Sequence, residues 1–173
     1  MTADSLRSSS DRHGAWRIDR PCGAMLWLIL LGGLLRLGLS WALGYGNGES
    51  YYIASARFFD LSYFDQPPLF LWLTHAMIVV SGSTEGWWLR LPYVLMFAGS
   101  TWVMYRLTVL LFADRWAGVY AALLLNLSAL FFLSVGSWVQ PDGPLFLLLL
   151  GAVYCVAKVV VPAPGTLRPG AVW

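Results

Sequence analysis

An all-α integral membrane protein, with about four transmembrane helices and two interfacial helices in its first outer loop, is predicted by three features of the sequence. The composition is 58% hydrophobic and 16% aromatic with only 12% charged residues, and the mean hydropathy is +0.65. Such a chain has too little polar surface to cover a soluble globule. Apolar runs of about the 20 residues that a bilayer crossing needs recur along it. The charged residues gather largely between those runs or near their ends. Net charge is +2, from 11 basic and 9 acidic residues that form no basic face, so nucleic acid is not an expected partner.

Residues 1–23, "MTADSLRSSSDRHGAWRIDRPCG", hold Arg7, Arg12, Arg17 and Arg20 without apolar periodicity, and a disordered cytoplasmic tail is expected there. The run at 24–43 is too long, and its charged lead too extended, for a cleaved signal peptide, so it is read as the first span. Further spans are expected at 91–111, 116–135 and 143–161. Between the first two lies "GNGESYYIASARFFDLSYFDQPPLFLWL", in which Tyr52, Ala56, Phe59 and Tyr63 follow the spacing of one helix face. Glu49, Arg57 and Asp60 lie off that stripe, which predicts an interfacial helix over 48–62. The Pro67-Pro68 pair then forces a turn, because a proline pushes the residue before it out of the helical region. A second flat helix is expected over 68–80, starting on that pair and ending at "SGSTEG".

The basic residues decide that the 68–80 run lies flat. If it crossed the membrane, Arg106 and Arg115 would face the side opposite the Arg-bearing tail. Lying flat, it leaves Arg90 at the outer end of the second span and returns Arg106, Arg115, Lys158 and Arg168 to the cytoplasmic side. The same choice puts Glu49, Asp60, Asp65 and, in "GSWVQPDGPL", Asp142 on one outer face. Acids beside an apolar bundle are costly unless solvated, paired or functional, so a shared outer cavity is expected. Residues 162–173 are read as a cytoplasmic tail or a truncation point.

Other polar residues have simpler readings. Arg57 and Asp60 suit a local ion pair, and Asp142 can also cap the last span. Arg36, in the outer half of the first span, either snorkels outward or meets a phosphate of a lipid donor. Asn126 is expected to hydrogen-bond between helices. His75 is interfacial, Trp87 and Trp88 mark the membrane interface, and Cys22 and Cys155 support neither a disulfide framework nor a metal cluster.

The segments "GESYYIASARFFDLSYFDQPPLFLWL", "LRLPYVL" and "PDGPLFLLLL" together resemble, in order and spacing, the amino-terminal part of membrane glycosyltransferases of the GT-C fold. The resemblance is to glycosyltransferase family 39, which includes aminoarabinose and protein mannosyl transferases. It implies a multi-pass enzyme of the plasma (inner) membrane that takes a hexosyl or pentosyl group from a polyprenyl-phosphate-linked donor. A lipid, glycan or protein acceptor would receive it on the extracytoplasmic face. Glu49 matches the Glu of the family's Asp-Glu motif, Tyr52 its Tyr, Pro67 and Pro68 the paired prolines, Arg90 the Arg of Arg-Leu-Pro, and Asp142 the later acid. Glu49, Asp142 and Asp65 are thus the expected catalytic residues, with Tyr52, Arg90, Arg36, Pro67 and Pro68 on the substrate and carrier. Some GT-C enzymes use a divalent metal ion, for which Glu49 and Asp142 would be the ligands here. Gly48 departs from the pattern, standing where the family usually has the Asp assigned the base role. Proton abstraction then falls to Glu49 with Asp65, or the chain is a non-catalytic truncated paralogue or assembly subunit.

Overall fold

The computed structural model describes residues 20–84 and 86–161. The tails expected at 1–23, as far as residue 19, and at 162–173 lie outside the described residues. All regular structure within them is helical: α1 (Arg20–Ala42), α2 (Asn47–Ala56), α3 (Pro68–Ser81), α4 (Gly86–Phe112), α5 (Arg115–Leu127), a π-helical turn (Phe131–Val135) and α6 (Asp142–Val160). Three of these, α1, α4 and α6, are long and apolar enough to cross a membrane. Their 23, 27 and 19 residues correspond to about 34, 40 and 28 Å, against a hydrocarbon core of about 30 Å.

The run expected to form one span over 116–135 is split. Ser128 leaves the helical region at ψ 119, its N–H closes on Leu124 O at 3.1 Å, and Phe132 N–H returns to Ser128 O at 2.8 Å. The widened π turn that follows re-aims Phe132 and brings Gly136 against α1 and α4. Helix α4 starts earlier than the expected 91 and runs through Pro92, which forfeits only its own N–H bond near the polar end of the helix.

The central helix is α4, packed against α1, α5 and α6, with α1 also touching α5. One end of the bundle is filled by Met25, Tyr105, Val119 and Ala122. There the approach of α4 to α5 requires Gly118, where a Cβ would lie 2.7 Å from the Tyr105 ring and 2.8 Å from Val109. Arg20, Arg106, Arg115 and Lys158 belong to this end by their places in the helices. The opposite end carries a second core of Ile53, Ala56, Phe70, Leu71, Leu89, Tyr93 and Val139, under α2 and α3.

Both ends of α3 sit at that second end. Its first turn borders a groove with the start of α6, and the turn after it is tied to the close of α1 by the Tyr45 hydroxyl donating to Thr84 O. It therefore lies across the bundle end. Helix α2 stops at Ala56, so Phe59 and Tyr63 of the predicted stripe fall in a loop instead of the helix expected over 48–62. Ring groups satisfy the loop's backbone. The Tyr63 hydroxyl donates to Phe58 O and accepts from Asp60 N–H, and the Trp72 indole donates to Asp60 O at 2.8 Å. The Asp60 carboxylate accepts from Leu61 N–H, and no Arg57–Asp60 ion pair forms among the described residues.

Candidate functional site

The second end of the bundle is organised by one buried ion pair. Gly46 precedes α2, and Glu49, three residues later, folds back to accept the Gly46 N–H at 3.2 Å, a capping-box arrangement. The rest of the Glu49 carboxylate faces inward, where Arg90 Nε donates to Oε1 at 2.8 Å and Nη2 to Oε2 at 2.5 Å. Val139 N–H completes the set, donating to Oε1 at 3.0 Å. Glu49 and Arg90 are only 2% and 1% exposed.

The other N–H groups of Arg90 serve the end of α1. They donate to Ser40 O (3.3 Å), Leu43 O (3.0 Å) and Gly44 O (2.9 Å). These lie at the helix terminus, where carbonyls have no intrahelical donor and a positive charge is favoured by the dipole. A single guanidinium thus joins the close of α1, the start of α2, the first turns of α4 and, through Glu49, the segment before α6. Beside it the Tyr93 hydroxyl donates to Phe70 O at 2.9 Å and lies 2.8 Å from Thr74 Oγ1, locking α4 to α3.

Two further acids lie outside this buried core. Asp65 is exposed in the loop before the proline pair and accepts a 2.8 Å hydrogen bond from the Tyr51 hydroxyl. That bond, with smaller contributions from desolvation and the nearby carboxylate charge, raises the Tyr51 pKa above its ordinary value. Asp142 is exposed in the first turn of α6. It does not act as the cap, because the cap position falls on Pro141. An acid in a first turn is nonetheless favoured by the helix dipole. The segments bearing the two acids meet in a groove of about 170 Å³ lined by Pro67, Leu69, Phe70, Pro141, Pro144 and Leu145, with Leu148 beyond. Pro67 precedes α3 in extended conformation and Pro68 opens it, so the pair forms the hinge and Pro67 is also a groove wall. Tyr52, half-buried, packs edge-on against Phe70 at 5.2 Å, at the edge of the core.

The Glu49 carboxylate does not fit a divalent cation in this arrangement, since four donors already occupy its oxygens and a cation would face the Arg90 charge. Among the described residues no three His, Cys, Asp or Glu side chains converge on one point. Arg36 does not snorkel. Its guanidinium turns into the bundle, where Nη1 donates to Gly32 O and Asn126 Oδ1, both at 3.1 Å. Asn126 in turn donates to Thr101 Oγ1 at 3.2 Å, bridging α1, α4 and α5. His75 ends on Ala56 O at 2.8 Å, joining α3 to α2. The Val139 N–H and the Tyr93–Thr74 contact carry no sequence signal: one is backbone, and the other pairs residues ordinary in apolar helices.

A helical bundle of membrane-crossing length, with the buried Glu49–Arg90 pair and the exposed Asp65 and Asp142 at one end, defines a multi-pass membrane protein. Residues 65–163, more than half of the chain, match the model of the dolichyl-phosphate-mannose-protein mannosyltransferase family, and the chain belongs to that family, which is of GT-C type. Its members are membrane glycosyltransferases that use polyprenyl-phosphate sugar donors. The matched stretch includes Asp65, Pro67, Pro68, Arg90 and Asp142, while Glu49 precedes it. No curated protein and no solved structure matches the chain.

Proposed function

We propose that the end of the bundle formed by α2, α3 and the start of α6 is the reaction face of a polyprenyl-phosphate-sugar-dependent glycosyltransferase. The observation that carries this reading is the groove between α3 and α6, apolar along its walls and flanked by the segments bearing Asp65 and Asp142. An apolar furrow suits a polyprenyl chain, and a carboxylate at its edge suits the acceptor hydroxyl, whose proton must be taken as the sugar is transferred. Asp142 is the proposed base. Asp65, held by Tyr51, is proposed to orient the acceptor. Glu49 is a positioning residue, because its oxygens are engaged by Arg90, Val139 and Gly46 and through them it holds the segment that carries Asp142.

The extracytoplasmic face is proposed for this end. Arg20, Arg106, Arg115 and Lys158 sit at the other end, which the positive-inside bias assigns to the cytoplasm. A periplasmic-type reporter joined after Ser83 is expected to be active, and a cytoplasmic signal there would reverse the assignment. The chemistry is tested by transfer from a radiolabelled polyprenyl-phosphate sugar in membranes holding the full chain. Asp142→Asn is expected to lower transfer by roughly 100-fold or more, the usual worth of a positioned base. Unchanged transfer in a double Asp142→Asn, Asp65→Asn variant would overturn the reading and favour a non-catalytic role.

A further inference from the structure

We propose that the cleft between the close of α1 and the start of α4 binds a neutral, hydroxyl-rich sugar ring. The cleft has a volume of about 230 Å³ and is bordered by Ser40, Trp41, Gly44, Tyr45, Gly86 and Trp87. It lies at the same end of the bundle as Asp65 and Asp142 but shares no lining residue with the groove between α3 and α6. Its walls are as much polar as apolar, whereas that groove is apolar. Three of the bordering residues are aromatic, and Trp88 stacks on Trp87 at 3.9 Å and braces it. Flat rings suit the C–H face of a pyranose, and a few polar groups between them suit its hydroxyls.

The charges around the cleft select a neutral ligand. Arg90 makes five hydrogen bonds, to Ser40 O, Leu43 O, Gly44 O and the two Glu49 oxygens, and these use every N–H of its guanidinium. An anion therefore finds no free donor on Arg90, and a cation would meet a positive charge already seated at the end of α1. Among the described residues no charged side chain lines the cleft. What remains are groups that a hydroxyl can use, since it both donates and accepts. The carbonyl oxygens at the close of α1 each have a second lone pair. The indole N–H groups of Trp41 and Trp87 have no hydrogen-bond partner among the described residues, and neither has the hydroxyl of Ser40, buried in the wall. Gly86 keeps the space open, because a Cβ there would lie 3.4 Å from the Tyr45 ring and 3.5 Å from Ser40 O. A larger side chain at that position would grow into the cleft.

The test is saturation-transfer NMR on the full chain in phosphatidylcholine nanodiscs, with methyl glucoside, methyl mannoside and methyl galactoside as probes. At least one is expected to bind with a dissociation constant on the order of 1 mM, and glucose phosphate and glucosamine, which carry opposite charges, roughly tenfold more weakly. Trp41 is 78% exposed, so its removal leaves the core intact. Trp41→Ala is expected to weaken binding roughly tenfold or more, and Gly86→Leu, which fills the cleft, to abolish it. Glucosyl diacylglycerol in the disc separates two sources of the same ring: displacement of the methyl glycoside assigns a lipid-borne sugar, and no displacement a free one. Absence of saturation transfer to all three glycosides, binding unchanged in both variants, or tighter binding of either charged sugar would overturn the proposal. Binding is read without transfer, so its failure is distinct from a failure of the reaction assigned to Asp65 and Asp142.

Discussion

Replacing Glu49 by Gln separates a residue that positions the site from one that performs the chemistry. The substitution keeps the shape of the side chain and removes its charge. Arg90, 1% exposed, is then left with carbonyl partners only. Breaking a buried pair by neutralising one member costs about 3–5 kcal/mol, because the remaining charge stays desolvated. For a chain of this size each kcal/mol moves the melting temperature by about 2–4 °C, so a fall on the order of 10 °C is expected. Differential scanning fluorimetry in nanodiscs reads the shift, and transfer from the polyprenyl donor is measured below the new transition. Adding Arg90→Met should recover part of the lost stability, since an apolar side chain of similar length leaves no orphan charge, although α1 then loses its terminal donors. A Glu49→Gln chain of wild-type stability with no transfer activity would refute the reasoning, for Glu49 would then be the base itself.

Three other outcomes follow from the geometry. A Cβ at Gly48 meets nothing within 4 Å, so Gly48→Asp is expected to fold with stability unchanged or raised by up to about 1 kcal/mol through the α2 dipole, and to increase transfer if the missing acid limits the rate; a drop in melting temperature would contradict the open space. Gly118→Ala, forced to within 2.7 Å of the Tyr105 ring, is expected to cost about 1–3 kcal/mol in denaturation, while Gly33→Ala, with nothing within 4 Å, is expected to be neutral or mildly stabilising. Tyr51 should ionise above the usual phenol value of about 10 in an absorbance titration and move down toward it in Asp65→Asn. Its folded pKa is raised, so whatever stability the Tyr51–Asp65 bond contributes is present at neutral pH and is lost as pH climbs through that raised value.

Much of this site is legible in the sequence, but in pieces. The proline pair read as a hinge is one, since Pro67 precedes α3 and Pro68 opens it. Asn126 bridges helices as a polar residue in an apolar run must. The length of α2 was misread because Tyr52, Ala56, Phe59 and Tyr63 share helical spacing, yet Phe59 and Tyr63 belong to a loop whose carbonyls are served by Tyr63 and Trp72. Periodicity reports which side of a segment is apolar, and it cannot report that a distant indole will satisfy the backbone.

The sequence by itself determined the class of the protein, the apolar runs and the placing of Glu49, Asp60, Asp65 and Asp142 toward one end, because hydropathy and charge are sums over neighbouring residues. Partnership was left to the tertiary structure. Glu49 meets Arg90 across 41 residues and Val139 across 90, and Arg36 meets Asn126 across 90. The structure alone decided that Glu49 is enclosed while Asp65 and Asp142 stay exposed, and that Arg36 turns inward instead of snorkelling. The reason is physical: the free energy of a charge depends on which groups replace its water, and those groups are brought by the packing of α1, α4 and the segment before α6.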